Sequence, residues 1–92
     1  MIRSFADRNT EKLARLESVV KFRPFERIAL RKLVQLDVAE RLSDLRIPPG
    51  NRLERLKGDR AGQYSIRIND QYRICFTWSA KGPENVEICD YH

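Results

Sequence analysis

Hydrophobic and polar positions alternate most regularly between Tyr64 and Trp78. Tyr64, Ile66 and Ile68 fall on one side and Ser65 and Arg67 on the other, the period of two that marks a half-buried strand. Asn69-Asp70-Gln71 interrupts the run with turn residues that tolerate left-handed backbone. Tyr72, Ile74, Phe76 and Trp78 then alternate with Arg73, Cys75 and Thr77. The pattern predicts a β-hairpin, entered through the loop Lys57-Gly58-Asp59-Arg60-Ala61-Gly62.

Upstream the period changes. Ile2-Arg3-Ser4-Phe5 is a short alternating start that reads as a strand. Asp7 to Asn9 offer capping oxygens, and residues 10–19 carry a helix with Leu13, Leu16 and Val20 at helical spacing. Pro24 suits the first turn of the next helix, where its missing N–H costs nothing. Phe25, Ile28, Ala29, Leu33 and Leu36 form that helix's apolar face, with Glu26, Arg27, Arg31, Lys32 and Gln35 largely outside it. Asp37-Val38-Ala39-Glu40 resembles a capping box opening a third, short helix with Leu42 and Leu45. Pro48-Pro49-Gly50 closes it, and residues 52–56 read as the strand entering the hairpin. A turn over residues 80–85 precedes a last strand, Val86 to Asp90. The expected architecture is α+β, in the order β-α-α-β-β-β: two to three N-terminal helices on a small, mostly antiparallel four-stranded sheet.

Composition narrows the classes. Ninety-two residues suit one domain with a single core, and we expect residues 1–92 to form it. No apolar run approaches the roughly 18 residues that span a bilayer, and Ile2-Arg3-Ser4-Phe5 is no signal peptide; a cytoplasmic protein without membrane partners is expected. Cys75 and Cys89 lack metal-ligand spacing and make no disulfide framework. They read as small strand residues in a reducing compartment. Residues 1–60 hold fifteen of the eighteen Lys and Arg against nine of the thirteen acids, a net of +6, and the remainder comes to −1. That asymmetry fits a polyanionic or acidic partner as well as a solvated basic surface.

The familiar catalytic signatures are missing: no phosphate-cradling glycine loop, HExxH, Cys/His zinc cluster or nucleophile elbow. What remains is a polar set beside the hairpin: Lys57, Arg60, Arg73, Asp90, Tyr91 and His92. Such a set can work on a phosphodiester. The reaction needs a base for the attacking 2′-hydroxyl, an acid for the leaving 5′-oxygen and cations for charge on the phosphoryl oxygens.

The run KGDRAGQYSIRINDQYRICF, the terminal DYH, the opening MIRSF and the PPGNRLE-LKGDR spacing resemble the HigB (host inhibition of growth) toxins of bacterial type II toxin–antitoxin modules, within the RelE/ParE superfamily. The resemblance covers essentially the whole chain. It implies an endoribonuclease that enters the A site of the 70S ribosome and cleaves mRNA there without metal or cofactor, leaving a 2′,3′-cyclic phosphate and inhibiting translation. It also implies a cognate helix-turn-helix, HigA-like antitoxin that carries the pair to operator DNA. On this resemblance Lys57 and Arg73 bind the scissile phosphate, while Asp90, Tyr91 and His92 orient RNA and move protons. Arg55 and Arg60 become RNA- or ribosome-facing cations. Some members carry histidine where this chain has Glu54, and a single imidazole at His92 cannot be both acid and base in one turnover.

Plainer readings stand beside these. Arg73 could be a structural arginine paired with Asp90, and Lys57 a solvated lysine. Tyr91 could stack on a base or cap the core. Terminal histidines are commonly frayed, although the strand pattern of Val86 and Ile88 argues that His92 is held, with an imidazole suited to acid–base work. Trp78 reads as core. Two other classes also fit the chain: a ParE-like toxin that binds DNA gyrase, and a binding module with no chemistry.

Overall fold

The computed structural model describes residues 1–90, so Tyr91 and His92 lie outside it. Four antiparallel strands lie in sequence order: β1 (Glu54–Arg55), β2 (Tyr64–Arg67), β3 (Tyr72–Ser79) and β4 (Gly82–Asp90). Two α-helices, α1 (Arg8–Ala14) and α2 (Glu26–Val38), cover one face. The α+β architecture of helices on an antiparallel sheet is the expected one, although the elements depart from expectation at several ends.

The hairpin follows its pattern. Ile66 faces Ile74, and Ile74 faces Ile88, so alternation stacks three isoleucines toward the helices, where they meet Phe76, Val86, Leu13, Ala29, Leu33 and Leu36. Each such side chain taken fully out of water contributes about 1.5–3 kcal/mol. Phe25 stacks on Tyr72 at 4.5 Å between ring centroids. The β2–β3 turn works differently from expectation. Asn69 Oδ1 accepts from the backbone N–H groups of Gln71 (2.8 Å) and Tyr72 (2.7 Å), an Asx turn in which none of the three turn residues has positive φ.

The N-terminal segment is a strand in pattern only. It makes one parallel bridge, Phe5 to Val86, with Arg3 donating to the Pro83 carbonyl and Ala6 to that of Val86. Gly82, at φ 123°, admits it: a Cβ there would lie 2.7 Å from the Met1 carbonyl oxygen. β4 starts at Gly82 rather than Val86, because residues expected as turn pair with the end of β3. A bulge near Phe76 places Asn85, at φ 53°, against the Ser4 hydroxyl.

Helix α1 is shorter than predicted. Leu16 N–H bonds to Leu13 O and Glu17 N–H to Lys12 O, both at 2.9 Å, a Schellman closure with Leu16 at φ 67° where glycine is usual. Leu16 and Val20 are therefore exposed, and of the predicted stripe only Leu13 is buried. Residues 20–25, Pro24 included, form a 3-10 helix ahead of α2. Ile28 is partly exposed, whereas Lys32, expected outside the apolar face, is buried. α2 continues through Asp37 and Val38 and ends at Ala39, inside the predicted capping box. Asp37 accepts instead from Ile2 N–H at 2.8 Å, and Asp44 Oδ2 caps the following 3-10 helix, Leu42–Arg46.

Two changes probe this framework. Thr10 is fully buried and its Oγ1 accepts from Ile88 N–H at 3.0 Å, tying α1 to β4. Thr10→Val keeps the shape but orphans that N–H, so urea denaturation is expected to show a loss of about 1–3 kcal/mol. Lys32 has its pKa lowered, first by burial and then by Arg31 and Arg67. Between that lowered value and the ordinary one, the unfolded chain holds the proton that the folded chain has lost, so stability rises with pH across this window. The stability of the protein relative to its Lys32→Met variant is therefore expected to increase toward alkaline pH in paired urea titrations.

Candidate active site on the outer face of the sheet

The alternation that turns isoleucines toward the helices turns Ser65, Arg67, Arg73, Cys75, Glu87 and Cys89 the other way. Register then assembles them. Glu54 faces Ser65, Ser65 faces Cys75, and Cys75 faces Glu87, while Arg73 lies between Arg67 and Cys89.

Arg73 is the centre of this face and is 8% exposed. A cation taken so far out of water requires acceptors. Its Nε donates to Ser65 Oγ at 2.7 Å and its Nη2 to the Arg52 carbonyl at 2.9 Å. Glu54 Oε2 lies 3.4 Å from Nη2, on a side chain that is half exposed. The guanidinium is thus held in one orientation beside a solvent-reachable carboxylate.

Leu56 closes over Cys75 and Cys89 in a small apolar cluster on the same face. The two cysteines are diagonal in the register. Diagonal strand neighbours are about 7–8 Å apart, beyond the usual Cα span of a disulfide, and both are free thiols. The hydrogen bond with Cys75, and then burial, push the Cys89 thiol well up. They are buried packing residues, as their sequence context suggested. Arg60 reaches in from the 3-10 turn Gly58–Arg60. Its Nη1 contacts Gln63 Oε1 at 3.0 Å and Glu87 Oε1 at 3.3 Å. That pair is about a third exposed on each side, so it orients more than it stabilises. Arg67 pairs with Asp70 across the turn.

The structure therefore brings Arg73, Arg60 and Glu54 onto one face. Lys57 is exposed at the start of the 3-10 turn. Arg55 faces Tyr64 and so belongs to the helix side, in a groove with Leu42, Arg46 and Leu53. Asp90 faces Tyr72 at the end of β4 and accepts from Gln71 Nε2 at 2.9 Å, which alternation also assigns to the helix side. The predicted roles of Tyr91 and His92 fall outside the described residues. Ser65 and the Arg52 carbonyl were not anticipated. Strand alternation alone could have nominated Ser65 as a neighbour of Arg73, whereas no local signal marks the carbonyl. Among the described residues no three His, Cys, Asp or Glu side chains gather as a metal site. No helix there is long and apolar enough to cross a membrane.

Comparison with known proteins places the chain in a family. The chain is 57% identical over 53 residues to Toxin HigB-1 of Vibrio cholerae, 58% of this chain and 56% of that protein. An uncharacterised protein of Haemophilus influenzae is 37% identical over 62 residues, 67% of this chain and 61% of the relative. The chain thus spans little more than half the length of these relatives. A chain of the YoeB-YefM complex from Staphylococcus aureus superposes with a TM-score of 0.58 at 19% identity, covering 100% of this chain and 98% of that one, a likeness of fold. Residues 4–92 match the family described as the RelE-like toxin of type II toxin–antitoxin system HigB. The chain belongs to this HigB-like family of RelE-like toxins.

Proposed function

We propose that the protein is the toxin of a type II toxin–antitoxin pair and that it cleaves mRNA on the ribosome with its own side chains as acid, base and cations. The observation that carries this reading is the Arg73 guanidinium, pre-oriented on Ser65 and the Arg52 carbonyl with the Glu54 carboxylate beside it. Donors fixed in advance where charge will develop usually contribute more to catalysis than any other single effect.

In this scheme the scissile phosphate docks against Arg73, with Lys57 and Arg60 adding positive charge from the 3-10 turn beside it. Glu54 takes the proton of the 2′-hydroxyl as that oxygen attacks phosphorus. The bond to the 5′-oxygen breaks, and His92 returns a proton to the leaving oxygen. The products are a 2′,3′-cyclic phosphate upstream and a free 5′-hydroxyl downstream. With Glu54 as the base, a single imidazole no longer has to serve both steps. Tyr91 orients the RNA, and Asp90, on the helix side, steadies the end of β4 through its bond from Gln71.

Partners follow from charge and family. Arg8, Lys12, Arg23, Arg27 and Arg31 are on and around the helices, a basic surface suited to ribosomal RNA phosphates with the salt sensitivity that implies. A cognate HigA-like antitoxin neutralises the toxin and links it to operator DNA. Ribosomal positioning of the substrate lets a modest set of groups suffice, and the site of action is the cytoplasm.

The test is induction in bacteria followed by mapping of new RNA 5′ ends. Breaks in translated mRNA, in frame with codons, are expected for the wild type and absent for Arg73→Ala and for a chain lacking His92. With purified ribosomes, Glu54→Gln is expected to slow cleavage by about 10²–10⁴-fold. Growth arrest with intact mRNA would overturn the nuclease and favour gyrase, and no arrest by a folded, expressed protein would favour a binding module. Separately, Ser65→Ala removes the acceptor of Arg73 Nε. Urea denaturation is expected to register a loss of about 1.5–3 kcal/mol, the range for hydrogen bonds to charged groups.

A further inference from the structure

Behind the outer face, two buried polar residues hold the loop that supplies Arg73 with its carbonyl acceptor. Asn51 ends the 3-10 turn Pro49–Asn51 and is 0% exposed. Its Nδ2 donates to the Leu45 carbonyl and to Gln35 Oε1, each at 3.1 Å. Its Oδ1 accepts from Lys32 Nζ, reaching across from α2. Lys32 is itself buried, and among the described residues its polar partner is this neutral amide rather than a carboxylate. Arg31 and Arg67 add positive charge nearby. An ammonium buried in that way is unfavourable.

The next residue carries a second unfavourable feature. Arg52 sits at φ 47°, in the left-handed region that side chains other than glycine, asparagine and aspartate seldom enter. Its N–H is used within the turn, on the Pro49 carbonyl at 3.0 Å, and its carbonyl accepts from Arg73 Nη2 at 2.9 Å. Strained backbone persists where its surroundings over-determine it. Here the surroundings are Asn51, clamped from three sides, and the geometry produced is a carbonyl directed at the guanidinium.

We propose that Asn51, held by Lys32, is a positioning residue for Arg73: it holds Arg52 in its left-handed conformation so that the Arg52 carbonyl orients the guanidinium on the outer face. The link runs from a buried amide to the reacting face through one peptide unit and touches no substrate. Its catalytic consequence rests on the nuclease reading above, whereas its structural claim does not.

The experiment uses the full-length protein and two variants. Lys32→Met keeps the aliphatic stem in the core and removes the ammonium, and Asn51→Ser removes the carboxamide. The first readout is solvent exchange of the Arg73 Nε–H, which is hydrogen-bonded to Ser65, followed by nitrogen-15 NMR. In whichever variant remains folded, this exchange is expected to accelerate at least tenfold while the backbone amides of β4 keep their rates. Unchanged exchange at Arg73 in a folded variant would overturn the proposal. The second readout is single-turnover cleavage of ribosome-bound mRNA. Lys32→Met is expected to lower the rate at least tenfold with ribosome affinity unchanged, and to change the residual rate less than twofold when Arg73→Ala is already present. An equal fold-loss in both backgrounds would mark a general structural effect and overturn the positioning role. A wild type that cuts no RNA would overturn the nuclease reading alone, and the exchange measurement would still decide whether Asn51 orients Arg73.

Discussion

A guanidinium withdrawn from water dictates much of what surrounds it. Taking the charge of Arg73 out of water commits the fold to providing oxygen acceptors at set places. Ser65 supplies one from the neighbouring strand, the Arg52 carbonyl a second from the loop before β1, and Glu54 a partial countercharge from β1 itself. Those three come from segments that meet only if β1, β2 and β3 pair in one register. A slip by one residue would exchange the faces of every side chain, sending Ser65 toward the helices and Ile66 toward water.

The sheet consequently has two chemistries. On the helix side, the isoleucines of β2, β3 and β4 join the phenylalanines and the apolar side of α2 in the main core. On the other side, a small cluster of Leu56, Cys75 and Cys89 sits beside arginines and carboxylates. Among the described residues the helices cover only one face. The N-terminal segment and Thr10 cover the outer edge of β4, which matters because an unpaired strand edge is a template for unwanted association. The face opposite the helices is a polar surface whose central cation is held by Ser65 and the Arg52 carbonyl.

Where sequence reading succeeded, the signal was local and periodic. The hairpin was legible because β2 and β3 alternate over their whole length and are separated by polar turn residues. Arg73 stood out as a charge within such a run, and Cys75 and Cys89 were correctly read as packing residues. Where reading failed, a local rule had been set aside by something distant or by an unusual residue. α1 ends at a left-handed leucine, so the expected stripe ran past the real helix. Asp37 looked like a cap but serves the chain's N-terminal segment, and the first residues looked like a strand yet make only a bridge.

The sequence by itself determined the α+β class, the hairpin and the basic N-terminal two-thirds, since periodicity and side-chain type act over a few residues. Only the tertiary structure decided which of those residues share a face. Arg55 and Asp90 are neighbours of the site in sequence, yet strand register turns them toward the helices. Glu54, an apparent departure from the family pattern, comes to lie against Arg73. Lys32, expected outside the apolar face of its helix, reaches Asn51 across 19 positions, and the Arg52 carbonyl reaches Arg73 across 21. Contacts at such separations have no trace in local pattern, because they are set by how whole elements pack.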